Sequence, residues 1–275
     1  MSAEAMMSSG TVRTFDAMRH GGGDEPPAVR VAGLHKCYPG ETRACLRGVN
    51  CEVRAGERVV LLGSNGSGKS TLLRCLVRLI DCNSGSIHLF GEDVLTCRGA
   101  KLRRLRSRTG FVFQKHNIVA RLSVLTNVLH GAQSRHGGPG TWFHACAPNR
   151  LRDEAMECLT RVGMQDFADR RADRLSGGQS QRVAIARSLM QRPRLLLADE
   201  PAASLDPTSG EEVMNLLTTL MRDQGTTVLF SSHDVDHARR YADRVIGLRD
   251  GGVVCEGPAT GVSADQLSAL YGQVA

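Results

Sequence analysis

The sequence predicts an α/β fold, a largely parallel sheet with helices on its faces and a glycine-rich turn at one edge. Three observations predict it. The apolar run Val59-Val60-Leu61-Leu62 leads into a glycine-rich turn, and a helical pattern opens at Lys69-Ser70-Thr71. Leu195-Leu196-Leu197-Ala198 is a second continuous apolar run, as expected of a strand buried in a parallel sheet, and it ends in Asp199-Glu200. Val228-Leu229-Phe230 is a third short apolar run of β type.

The elements follow in order. Residues 1–28 hold Gly21-Gly22-Gly23, Pro26-Pro27 and small polar side chains, which predicts a disordered extension. Folding is expected from Val29, with a β-rich opening to about residue 62 that carries Tyr38 ahead of the Pro39-Gly40 turn. The helix after the glycine-rich turn is expected to reach about Ile80, and short strands are expected at 85–90 and 110–113. From about 115 to 175 the pattern is mostly helical, with apolar or sulfur-bearing residues at 151, 155, 158, 159 and 162. Residues 134–150 interrupt it with glycines, prolines and Trp142, the only tryptophan. The α/β pattern returns after Gly178, with strands near 195 and 228 and final strands at 244–248 and 253–255. A short helix from Ser263 closes the chain, and no internal repeat is present.

The glycine-rich turn carries the chemistry. Gly63, Ser64, Asn65, Gly66, Ser67, Gly68, Lys69 and Ser70 match the pattern G-x-x-x-x-G-K-[ST] between a strand and a helix. Such a turn aims successive backbone N–H groups at phosphate oxygens, and the helix start at Lys69-Ser70-Thr71 adds its positive end. Lys69 would reach the β- and γ-phosphates of a nucleotide, and Ser70 would give its hydroxyl to Mg²⁺.

Asp199 and Glu200 follow a buried strand, at the carboxyl edge where open α/β sheets bind ligands. Two adjacent carboxylates are costly unless a cation or a nucleotide compensates. Asp199 is expected in the Mg²⁺ shell, mainly through water, and Glu200 is placed to activate an attacking water. Between the two sites stands Leu175-Ser176-Gly177-Gly178-Gln179, followed by a helical pattern with apolar residues at 183, 186, 189 and 190 on one face. Ser176 is a plausible N-cap, and the glycines admit an anion, so this is a second phosphate-binding helix start. One nucleotide cannot easily touch both on separate lobes of one chain. Two copies in head-to-tail register solve this, each glycine-rich loop facing the other's Ser176–Gln179.

Composition sets the bounds. At 275 residues the chain supports one large domain or two small ones, and few aromatics leave the core to Leu, Val, Ala and Ile. The formal charge is +7, but the arginines are scattered and no groove-reading or single-strand motif accompanies them, so no nucleic-acid partner is expected. The nine cysteines form no C-x-x-C and no zinc spacing, which predicts free thiols in a reducing compartment. No apolar run approaches the roughly 18 residues of a membrane span, and the first residues show no signal-peptide core.

These residues resemble the ATP-binding subunit of an ATP-binding-cassette (ABC) transporter over about residues 29–257. The glycine-rich turn is similar to the family's Walker A loop, Leu175–Gln179 to its signature, and Arg194–Pro201 to its Walker B strand. Ser204-Leu205-Asp206 resembles the D-loop, Gln114 the Q-loop glutamine, His233 the switch histidine, and Tyr38 the aromatic placed against adenine. The smaller motifs also read from their residues. His233 lies just past the third apolar run and could bond a γ-phosphate or the attacking water; a lone histidine is more often structural, but the sheet edge shared with Asp199 and Glu200 reverses that expectation. Gln114 could give its amide oxygen to Mg²⁺ or water, or sit on the surface. Tyr38 could stack on a base at the loop edge, or be a partly buried strand residue.

The resemblance implies a P-loop NTPase of ABC-ATPase type, with a nucleotide-binding β-rich part, a helical subdomain at about 115–175 within residues 29–258, and a helical tail at 259–275. It implies ATP and Mg²⁺ as cofactors and a second copy of the chain as partner. It also implies permease subunits at the cytoplasmic face of a membrane and, indirectly, a periplasmic or lipid-anchored solute-binding protein. Residues 117–131, 160–164, 197–206 and 233–238 are most similar to the phosphonate-importer ATPases. Departures are Asn65 for the usual serine, Asp234 for the usual glutamine, and a longer N-terminus. Alternatives are an importer ATPase for methionine, amino acids or another solute, a lipoprotein-releasing cassette, and a non-transport ABC ATPase.

Overall fold

The computed structural model describes residues 26–138, 141–142 and 144–271. Most of the N-terminal extension and the last four residues of the tail therefore lie outside the described residues. The chain opens with strands β1 (Val29–Lys36), β2 (Leu46–Val53) and β3 (Arg58–Leu62), and the glycine-rich turn leads into helix α1 (Lys69–Leu76). Strands β4 (Ser84–Leu89) and β5 (Glu92–Asp93), helix α2 (Gly99–Ser107) and strand β6 (Thr109–Val112) follow. Helices α3 (Val124–Leu129), α4 (Asn149–Arg161) and α5 (Gly177–Gln191) come next, with short 3₁₀ turns between them. The chain ends with β7 (Leu195–Ala198), α6 (Pro207–Asp223), β8 (Thr227–Ser232), α7 (Val235–Tyr241), β9 (Arg244–Arg249), β10 (Gly252–Pro258) and α8 (Ala264–Tyr271).

The strands form two sheets. An antiparallel sheet runs β2-β1-β4-β5, and a larger one runs β10-β9-β3-β8-β7-β6. In the larger sheet β9, β3, β8, β7 and β6 are mutually parallel, and β10 pairs antiparallel with β9. Its apolar strands divide their side chains between two cores, as the two-residue period of a strand requires. Val60, Leu62, Leu196, Ala198, Val228 and Phe230 face the core shared with α3, α4, α5 and α6. Val59, Leu61, Leu195, Leu197 and Leu229 face the core shared with α1 and the antiparallel sheet. Each fully buried Val, Leu or Phe contributes roughly 1.5–3 kcal/mol, which is why these strands carry no polar alternation.

The sequence reading named no element at α2, α6 or α7, and two elements that it did name differ. Helix α1 stops at Leu76 rather than near Ile80, because Val77 leaves helical geometry and Arg78 adopts φ 54°. The Arg78 side chain then holds the carbonyls of Leu95 and Cys97 at 3.2 and 2.8 Å. Helix α5 is not one-faced. Ser180, Gln181, Ala184, Ile185 and Ser188 are buried together with Val183, Ala186, Leu189 and Met190, because helices pack on one side of it and the sheet lies on the other. Among the described residues no helix is long and apolar enough to cross a membrane.

Candidate functional site

The strand order decides what meets. Neighbouring parallel strands β3, β8, β7 and β6 end at one edge of the sheet, roughly 4.8 Å apart. From those ends emerge, in turn, the loop Gly63–Gly68, then His233, then Asp199 with Glu200, then Gln114. Four segments spread along the chain thus line one edge.

The loop folds around its own lysine. The Lys69 ammonium, buried at 4% exposure, donates to the carbonyls of Gly63 at 2.8 Å and Ser64 at 3.0 Å. It also lies 3.3 Å from the Glu200 carboxylate. Gly68 carries φ 105°, and a β-carbon there would sit 2.6 Å from the Cys45 carbonyl, so only glycine admits this turn. Ser64, Asn65 and Gly66 are exposed at the tip, whereas the buried Ser67 hydroxyl has no protein partner. A buried hydroxyl without a partner in a turn of this shape fits an arriving phosphate oxygen.

Asp199 is the hub of the acidic side. Its carboxylate, 1% exposed, accepts from the Ser70 hydroxyl at 2.7 Å and from the Ser231 hydroxyl at 3.1 Å. The Arg74 guanidinium stands 3.4 Å away. Ser231 also accepts the Glu200 N–H at 2.9 Å. Glu200 itself adopts φ 45°, unusual for a residue with a side chain, and this conformation accompanies its pairing with Lys69. Ser231 and Arg74 were not singled out in the sequence. The available signal for Ser231 was a pair of small hydroxyls, Ser231-Ser232, ending an apolar strand.

The donor set suits Mg²⁺. Ser70 and Asp199 offer hard oxygen atoms side by side, and Mg²⁺ takes one or two such protein ligands beside phosphates and water. Among the described residues no cluster of three His, Cys, Asp or Glu could hold a metal alone. A metal here would complete its shell with water or substrate oxygens.

The remaining predicted residues occupy three surroundings. Tyr38 lies in the turn after β1, partly buried, its hydroxyl 3.3 Å from that of Thr71 on α1. Gln114 and His233 are exposed at the sheet edge. A cavity of about 330 Å³ opens beside His233, lined by Glu200, Asp206, Ser231 and His237 among others. Ser176–Gln179 form the start of α5 with a complete capping box: Gln179 N–H donates to the Ser176 hydroxyl at 3.3 Å, and Ser176 N–H to the Gln179 side chain at 3.0 Å. Gly177 lies against Leu205 and Gly178 against Ser209. Among the described residues no hydrogen bond or ion pair joins this helix start to the loop of Gly63–Thr71.

Known proteins resemble this chain in sequence and fold. The phosphonates import ATP-binding protein PhnC 2 of Synechococcus sp. is 44% identical over 89% of this chain and 90% of its own length. The phosphate-import ATP-binding protein PhnC of Mycolicibacterium smegmatis is 50% identical over 86% of this chain and 89% of its own. The ATP-binding cassette MJ0796, solved as a dimer in a post-hydrolysis state with ADP and Pi, superposes with a TM-score of 0.75 at 34% identity, covering 85% of this chain and 99% of that one. The family model described as ABC transporter matches residues 46–203. With its glycine-rich loop, acidic strand end and capped helix start set in that frame, the chain belongs to the ABC transporter family.

Proposed function

We propose that this chain is the ATP-hydrolysing subunit of an importer for a phosphonate or a related phosphorus oxyanion. The observation that carries the ATPase is the meeting of Lys69, Ser70, Asp199 and Glu200 at one sheet edge. Residues 29–258 would form the ATPase domain, with its helical subdomain at about 115–175 and a tail from 259. The substrate class rests on relatives named for phosphonate import over most of the chain.

In this reading the loop N–H groups and Lys69 hold the phosphates of ATP, and Tyr38 stacks on the base. Ser70 and Asp199, with Gln114, would hold Mg²⁺, which when bound neutralises charge on the phosphate oxygens. A γ-phosphate reaching Lys69 takes over the ammonium from Glu200. The freed Glu200 carboxylate then accepts a proton from the attacking water while His233 bonds the γ-phosphate. The Ser176–Gln179 helix start serves a second copy of the chain, whose nucleotide it faces across a head-to-tail dimer. Permease subunits hold that dimer at the cytoplasmic face of the membrane, and a periplasmic or lipid-anchored binding protein delivers the solute.

Phosphate import is the second reading, favoured by the relative from Mycolicibacterium smegmatis that carries that name. Uptake separates the two. Cells lacking this chain should lose uptake of a labelled alkylphosphonate, and the wild-type chain but not its Lys69→Ala variant should restore it. Loss of phosphate uptake alone would replace phosphonate by phosphate, and unchanged uptake of every phosphorus oxyanion would end the substrate reading.

A further inference from the structure

The peptide unit that follows His233 is gripped from both sides. The N–H of Asp234 donates to the Ser232 hydroxyl at 3.0 Å. The carbonyl of His233, on the same peptide plane, accepts the Tyr271 hydroxyl at 2.8 Å. Ser232 is the last residue of β8, inside the nucleotide-binding sheet. Tyr271 is the last residue of α8, the C-terminal helix, outside the span of the family model.

That helix is anchored well enough to hold a position. It packs on β9 and β10. Its Leu270 is 1% exposed, and the Ala269 carbonyl accepts the Arg249 guanidinium at 2.8 Å. A capping pair fixes its start, with Ser263 N–H donating to the Gln266 side chain at 2.9 Å and Gln266 N–H to the Ser263 hydroxyl at 3.2 Å. Burial, with the charge of nearby Asp234, pushes the Tyr271 hydroxyl up to about 12, so it stays a donor at neutral pH. The His233 imidazole is meanwhile exposed at the sheet edge.

We infer that Tyr271 is a positioning residue for the switch histidine: by holding the His233 carbonyl against Ser232 on the opposite side, it fixes the peptide plane that aims the imidazole at the nucleotide cleft. The inference rests on the role proposed above for His233. A peptide plane held at both its carbonyl and its N–H cannot rotate about the bonds that flank it without breaking one of the two contacts. The direction of the His233 Cα–Cβ bond is then set before nucleotide arrives, so only the side-chain torsions are left to order in the reactive complex.

The test is a two-residue cycle on the full chain. Tyr271→Phe keeps the ring, and so the packing of α8, and removes only the hydroxyl. Its kcat for ATP should fall about three- to tenfold, the worth of one net hydrogen bond, with affinity for a fluorescent ATP analogue unchanged. In a His233→Ala background the same change should cost nothing further, because no imidazole remains to be aimed. Ser232→Ala should reproduce the kcat loss from the other side of the peptide. Wild-type kcat in Tyr271→Phe overturns the inference while leaving His233 in place. A Tyr271→Phe loss of equal size in the His233→Ala background also overturns it, showing a merely structural role. A His233→Ala chain as active as wild type ends both the inference and the role of His233.

Discussion

At the scale of single residues the site is an arrangement of compensated charges. Lys69 and Glu200 are 4% and 13% exposed in their side chains and 3.3 Å apart, so each shelters the other's charge. Lys69→Ala should weaken ATP binding roughly 10- to 150-fold, corresponding to a charge-assisted contact of about 1.5–3 kcal/mol. Equilibrium titration with ATP and Mg²⁺ reads this, and unchanged affinity would remove Lys69 from the phosphate site. The cysteines divide by the same logic of solvation. Burial pushes the thiols of Cys51 and Cys75 up to about 12 and that of Cys158 up to about 11, while Cys146 is exposed. A thiol reagent at pH 8 should therefore modify Cys146 in the folded chain and reach those three only after unfolding, because the thiolate is the reactive form. Mass spectrometry of the labelled chain gives the order of reaction. Lys69, Asp199 and Glu200 were legible because their motifs fix both residue type and position, at a helix start for Lys69 and a strand end for the two carboxylates. Ser231 and Arg74 were not, since a serine in an apolar strand and an arginine on a helix have many ordinary uses.

At the scale of elements, helix α5 links the capped turn of Ser176–Gln179 to both sides of the molecule. Its contacts with α3, α4, α6 and β6 explain why its surroundings are buried nearly all round. A close approach to α5 also comes from Gly131, in the 3₁₀ turn after α3. A β-carbon there would meet the Arg187 carbonyl at 2.2 Å and the Met190 β-carbon at 2.9 Å. Gly131→Ala should therefore force the turn off α5 and cost about 1–3 kcal/mol by overpacking. Thermal unfolding measures it, and a Tm equal to wild type would show that the turn yields freely. The sequence places α4, β7 and β9 within a residue or two of where they stand, because each carries a clear apolar run or period. It overruns α1, because Val77 and Ile80 continue the apolar pattern while the arginine between them, Arg78, is drawn out of the helix by carbonyls from a distant segment. No local signal announces such a tertiary contact.

At the scale of the whole molecule, the two glycine-bearing helix starts do not share a site within one chain. The capped turn of Ser176–Gln179 lies beside Leu205 and Ser209, whereas the loop of Gly63–Thr71 is closed by Glu200 and Asp199. Glu200→Gln should keep nucleotide affinity, slow hydrolysis at least a hundredfold as expected for loss of a general base, and accumulate an ATP-dependent dimer. Sedimentation with and without ATP reads the assembly. A monomer at saturating ATP with full turnover would defeat both the role of Glu200 and the two-chain site.

The amino-acid sequence by itself determined the local chemistry: a glycine-rich turn between strand and helix, two carboxylates at a strand end, and a capped helix start. These follow from short-range rules, since the residues that make each feature are neighbours in the chain. Only the tertiary structure decided which features meet. The chain runs β3, β6, β7, β8, but the sheet places β8 between β3 and β7, and Ser231 at the end of β8 thereby ties Asp199 to the backbone of Glu200. The C-terminal helix reaches the His233 carbonyl across 38 residues of sequence for the same reason. Strand order and helix docking are set by how apolar faces share two cores, a property of the whole chain that no segment carries alone.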